Sequence, residues 1–282
     1  MTNRQIAGLL PAQSMAEGAD ATVHRTIGTR ALSVLDPFLL LDEFELADTA
    51  AGFPDHPHRG FETVTYMFEG EIEHRDAVGH RGVIGPGDTQ WMTAGRGIVH
   101  SEKPVKGKGT VRGLQLWLNL PSGDKMTCPK YRDARAADVP VVKGEGYSAR
   151  LIAGSLGGAK GPIGDITVAP LYAIVTLTGG KAMLDVPKGH TAFLYGIKGK
   201  AQLANGYVPP RHLAVLTDGE GFAVEGEAGT EFLLVAAAPI KEPVARYGPF
   251  VMNTEDEIRE TLNEWHSGMF VKNMRSEFHK SA

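Results

Sequence analysis

Short runs of β-branched and aromatic residues, each closed by a turn residue, constrain this chain more than anything else in it. Glu62 to Phe68 ends on Glu69 and Gly70, Gly82 to Gly85 on Pro86, Gly87 and Asp88, and Arg112 to Leu120 on Pro121. Runs of this length are too short for buried helices, and their residues suit a pleated surface. The punctuation supplies hairpins and tight turns. The 35 glycines fall between such runs. The pattern therefore predicts an all-β chain of many short strands.

In chain order, Thr22 to Ile27 alternates enough for an early strand. Pro37 then breaks regular structure, and Phe38 to Leu41 reads as a buried strand with a polar exit at Asp42 and Glu43. After Pro121 the composition becomes linker-like, with Ser122, Gly123 and Asp124, a charged run from Lys130 to Asp138, and Pro140. This places a domain boundary near residue 140, giving domains 1–140 and 141–282. Beyond it the strand rhythm resumes at Tyr172 to Thr178, Lys181 to Val186, Ala192 to Tyr195, Gly199 to Leu203, Ala214 to Thr217 and Phe232 to Ala237. The piece from Pro187 to Gly199 echoes His56 to Gly70 without its histidine pair, as in an internal duplication that keeps one metal set. The tail carries one helix, about residues 254–266. Thr254 and Glu257 form a capping box, Ile258, Leu262 and Trp265 make one apolar stripe, and Gly268 supplies the stop. A stripe this narrow is expected to dock on a barrel of this chain and tie the two halves together.

The charge balance of −4, from 29 basic and 33 acidic residues, gives no reason to expect nucleic acid or an anionic membrane as partner. Cys128 is the only cysteine, which fits a reducing, cytoplasmic setting. The apolar run Ile6 to Leu10 is too short for a signal h-region, and no run approaches transmembrane length.

Chemistry concentrates between Gly52 and Glu102, where five of the ten histidines lie. His56 and His58 are spaced i, i+2, and so are His100 and Glu102. Residues two apart on a strand point to the same face. Two such strands side by side would aim three imidazoles and one carboxylate at one point. That donor set suits an open transition-metal site better than a closed structural zinc site. Glu62 is four residues from His58 and shares its face in an extended strand, so it competes with Glu102 as the oxygen donor.

The His-x-His-x-x-x-Glu run at His56, His58 and Glu62, with Gly97 and His100 further on, resembles the metal-site layout of the cupin superfamily. Longer strings are more specific: Asp36 to Phe44, His56 to Tyr66, Gly87 to Glu102 and Gly113 to Pro121 together resemble the pirin family. The resemblance covers nearly the whole chain and is strongest from 36 to 121. It implies a bicupin of two antiparallel β-barrels of the jelly-roll kind, with one mononuclear iron in the N-terminal barrel. It puts the ligands on His56, His58, His100 and Glu102, leaving Glu62 as a hydrogen-bond acceptor behind them or an alternative ligand. Two roles come with the family: quercetin 2,3-dioxygenase activity, mainly in bacterial members, and transcriptional coregulation in eukaryotic nuclei.

The first role predicts a flavonol or related phenolic substrate, O2, Fe(II) and Glu102 as the base. Nickel, copper, zinc, manganese or cobalt fits the same donors. The second predicts an iron-dependent, redox-responsive regulator with a protein partner and no catalysis. Arg59, Trp91, Met92, Gln115 and Trp117 are candidates for the substrate pocket. Arg59 and Arg96 could guide an anionic substrate, but bracing loops or pairing with acids such as Asp55 is the plainer reading, and core packing accounts equally well for the two tryptophans and Met92. The remaining histidines, among them His74, His80 and His190, are expected to be surface or core-satisfied residues. The glycines around Arg96 superficially suggest a phosphate loop, but the GKS/T pattern and strand-to-helix context are missing.

Overall fold

The computed structural model of the chain describes residues 3–18 and 20–270. Among the described residues almost all regular structure is β, with an α-helix at Glu255–His266. The tail from 271, including His279, lies outside the described residues.

Two compact units divide the chain, and neither is continuous. One gathers Met1–Gln13, His24–Pro37 and Ala134–Pro239; the other gathers Ser14–Val23, Phe38–Asp133 and Ile240–Ala282. Both chain ends are thus exchanged. The strand Ile6–Pro11 pairs with His212–Leu216 of the later half. The helix packs on Ala245–Tyr247 and Phe250–Met252 and belongs to the unit that holds His56 to Glu102.

Each unit is built from a seven-stranded and a four-stranded antiparallel sheet. Neither seven-stranded sheet closes on itself; in each unit the two sheets share one core instead. In the first unit that core is purely hydrocarbon and aromatic, with Val175, Leu194, Phe232 and Leu234 from the large sheet meeting Leu184, Leu203, Phe222 and Val224 from the small one. Each such side chain contributes about 1.5–3 kcal/mol by leaving water. In the second unit Phe44, Met67 and Val111 meet Ile72 and Ile84 across the same kind of gap.

The residues that looked like a linker are folded. Lys130–Ala134 is an edge strand of the second unit's large sheet, beside Thr89–Thr93. An edge strand with one solvated face tolerates charge, which is why its composition resembled a loop. The helix begins as its capping box requires. Thr254 Oγ1 accepts from the Glu257 N–H, and the Glu257 carboxylate accepts from the Thr254 N–H. Ile258, Leu262 and Trp265 then pack with Met92, Ala94, Ile98 and Val99. Gly268 follows at φ +72. Among the described residues no helix is long and apolar enough to cross a membrane.

Candidate metal centre

Pairing of two strands assembles the site. Phe53–His58 runs antiparallel to Ile98–Pro104, with His56 opposite His100 and His58 opposite Ile98. Direct cross-strand neighbours on one face lie close enough for their side chains to touch. His58, two residues along from His56, joins them from the same face. The ring centroids of His56 and His100 are 4.3 Å apart, those of His56 and His58 4.7 Å, and those of His58 and His100 4.8 Å.

The loop after His58 is held firmly. The Arg59 N–H donates to Pro249 O, the Val251 N–H donates to Arg59 O, and the Gly60 N–H donates to Gly95 O. A Cβ on Gly60, at φ +88, would lie 1.9 Å from Val251 O, so only glycine allows this approach. The buried ammonium of Lys125 donates to Gly60 O, Val251 O and Asn119 Oδ1.

The ring nitrogens fit a metal. His56 Nδ1 lies 2.8 Å from the Pro54 carbonyl, which can only accept, so Nδ1 carries the hydrogen and Nε2 keeps its lone pair. His58 Nδ1 and His100 Nε2 are buried with no hydrogen-bond partner. Unpartnered buried nitrogens are costly unless something else takes their lone pairs. One donor atom from each of His56, His58 and His100 lies within 4.8 Å of the others. Burial lowers the pKa of all three rings, and at His58 and His100 the neighbouring imidazoles add to it and take the value far below the ordinary one. Neutral rings are the form that ligates.

The two candidate carboxylates occupy different surroundings. Glu102 is buried and forms a second close group with His100 and His74. Burial pushes its carboxyl up to about 7, partly offset by a hydrogen bond with Thr65. Glu62 accepts from Trp91 Nε1 at 3.0 Å and Thr93 Oγ1 at 2.5 Å, with the Arg132 guanidinium 3.6 Å away. Burial raises its pKa too. Among the described residues neither His/Glu group includes it.

The other named residues separate in the same way. Arg59 donates to Arg96 O, Thr261 Oγ1 and Glu264 Oε2, so it braces a loop and the helix. Trp91 and Met92 are fully buried. Gln115 Oε1 accepts from Thr65 Oγ1 at 2.6 Å. Trp117 is half-buried and meets the His58 ring edge-on at 5.2 Å; it also stacks on Phe61 at 4.3 Å and lies 4.9 Å beneath the Arg246 guanidinium.

The residue missed from the sequence is His74. It is buried on Ile72–Asp76, opposite Glu102, with Nδ1 3.2 Å from His100 Nδ1. Its period-two spacing from Asp76 was the available signal. Nothing local showed that its strand would pair with the one bearing His100.

Two β-sheet units, one with His and Glu groups that could hold a metal ion, give the chain the architecture of the cupin class. The pirin family model matches residues 20–118, and that of the pirin C-terminal cupin domain matches 172–271. A pirin-like protein of Solanum lycopersicum is 44% identical over 262 residues, 91% of this chain and 89% of that one. Human pirin is 41% identical, over 90% of each chain. The crystal structure of quercetin 2,3-dioxygenase from Acinetobacter baumannii superposes with a TM-score of 0.88 at 34% identity, covering 95% of this chain and 99% of that one. The chain belongs to the pirin family.

Proposed function

We propose that the protein is a mononuclear non-haem iron dioxygenase that opens a flavonol such as quercetin, with His56, His58, His100 and Glu102 as ligands. The observation that carries this reading is the convergence of three neutral imidazoles, two of which keep a buried nitrogen without a partner. Likeness to the Acinetobacter quercetin 2,3-dioxygenase along nearly the whole chain supports the substrate class. Bound among these donors, iron(II) would supply open coordination positions and a redox couple for O2, which zinc with the same donors lacks.

The protein's own residues supply the rest. The imidazoles hold their positions without rearrangement, because backbone pairing fixes both strands. Glu102, buried beside His100, takes the proton of the substrate's 3-hydroxyl and keeps it out of water. Over the whole reaction both atoms of O2 enter the substrate, at C2 and C4. The C2–C3 and C3–C4 bonds break, and C3 leaves with its oxygen as carbon monoxide. A reducing, cytoplasmic setting would suit the exposed thiol of Cys128.

The test is anaerobic loading with Fe(II), addition of quercetin, then air. Loss of the flavonol absorbance together with carbon monoxide release is the expected result. Stoichiometric iron uptake without turnover of quercetin or close analogues would overturn the enzymatic reading in favour of an iron-responsive binding protein.

A further inference from the structure

Behind His100 a line of hydrogen bonds runs away from the ligand cluster, and its direction can be worked out from the far end. Asp76 is the anchor. Its Oδ1 accepts from the N–H groups of Val78 and His80, and its Oδ2 lies 2.8 Å from Nδ1 of the exposed His80 ring. A carboxylate can only accept. The Tyr131 hydroxyl, 3.1 Å from Asp76 Oδ2, therefore donates to it. With its hydrogen spent there, the Tyr131 oxygen accepts from His74 Nε2 at 2.7 Å. A neutral His74 with its hydrogen on Nε2 has a lone pair on Nδ1. His100 Nδ1, 3.2 Å away, must then be the donor. That leaves His100 Nε2 bare, and it is this nitrogen that is buried with no partner.

We infer that His74, Tyr131 and Asp76 are positioning residues that lock His100 into the tautomer with hydrogen on Nδ1, so that Nε2 is presented to the ion. The inference rests on the metal reading above and deepens it. The reverse order of donation would put a hydrogen on Nε2 and block the third ligand position. Ligating imidazoles commonly use their second nitrogen in this manner. What is particular here is a neutral histidine as the acceptor. A second imidazole transmits a choice made by a carboxylate three hydrogen bonds away. His74 and Asp76 reach the site because Ile72–Asp76 pairs with Ile98–Pro104, and Tyr131 arrives on the edge strand Lys130–Ala134.

Tautomers are read directly from the ring nitrogen shifts of the full-length, metal-free protein by 15N NMR. His100 is expected with hydrogen on Nδ1 and His74 with hydrogen on Nε2. His74→Leu removes the acceptor, whereas His74→Gln keeps one. The leucine variant should bind Zn(II), measured against a competing chelator, roughly 10–100-fold more weakly than wild type. The glutamine variant should recover most of that loss. Tyr131→Phe frees His74 to change tautomer, so the His100 signal should become mixed with little change in thermal unfolding. Hydrogen on Nε2 of His100 in the wild type would overturn the inference. So would wild-type zinc affinity and unchanged ring shifts in both the leucine and the phenylalanine variants. The NMR measurement is made without metal or substrate, so its outcome stands apart from the fate of the dioxygenase reading.

Discussion

The two units share one plan of a large and a small sheet, but their interiors differ. Among the described residues Arg4 is the one charged group buried in the unit of the later half, where it donates to Gly219 O, Thr217 O, Pro187 O and His190 O. The unit carrying the site buries Asp42, Glu43, His58, Arg59, Glu62, His74, His100, Glu102 and Lys125. Its share of apolar packing is bolstered by the helix and the exchanged C-terminal strands. The contrast shows how two units of one β-sheet plan can be divided between tasks. One unit spends its interior on cohesion. The other carries ionisable groups whose burial costs several kcal/mol each unless they are paired or bound. The histidine in the echoed segment, His190, lies beside a cavity of about 590 Å³, and among the described residues no group able to hold an ion includes it.

Four experiments would sharpen or break this contrast. The largest difference should separate His100→Ala from His190→Ala. The first should abolish stoichiometric metal uptake, read by elemental analysis of protein purified without chelator; the second should leave it intact. Equal metal content in the two variants would remove the functional asymmetry. Next, Leu234→Ala in the hydrocarbon core should cost about 2–5 kcal/mol in urea unfolding while metal affinity stays at the wild-type value.

Acid should distinguish the interiors by a smaller amount. The metal-free folded state holds His56, His58, His74 and His100 below their unfolded value of 6.5. The unfolded chain therefore binds more protons as pH falls, and the stability these rings contribute above 6.5 is lost on the way down to about 4, where His74 titrates. Glu102 works in the opposite sense. Its pKa is raised from 4.5 to about 7, so acidification across that span relieves its burial. Four lowered rings against two raised carboxyls, Glu62 being the other, predict a net loss below pH 6.5. The urea midpoint of the metal-free protein measures it, and a midpoint that rises steadily toward pH 4.5 would contradict it. The smallest effect should come from Thr254→Ala, which removes the helix cap at a cost of about 1 kcal/mol and leaves metal content unchanged.

Much of this molecule is written locally. The alternation around His56 and His58, the turn at Glu69 and Gly70 and the capping box at Thr254 are short-range patterns, and each fixes a backbone conformation within a few residues. Spacing alone put two imidazoles on one face of a strand, and a second pair further on. It did not choose between Glu62 and Glu102, because Phe61–Glu69 is buried on both faces and its alternation carries no direction. The structure seats Glu62 among Trp91, Thr93 and Arg132, and Glu102 beside His100 and His74.

Tertiary structure also decided that both chain ends cross to the other unit, that a charged stretch read as linker is an edge strand bearing Tyr131, and that His74 meets His100. These are matters of strand pairing over tens to hundreds of residues. Pairing partners are set by which apolar faces fit together in the folded core, and a period-two pattern specifies a face without specifying its neighbour.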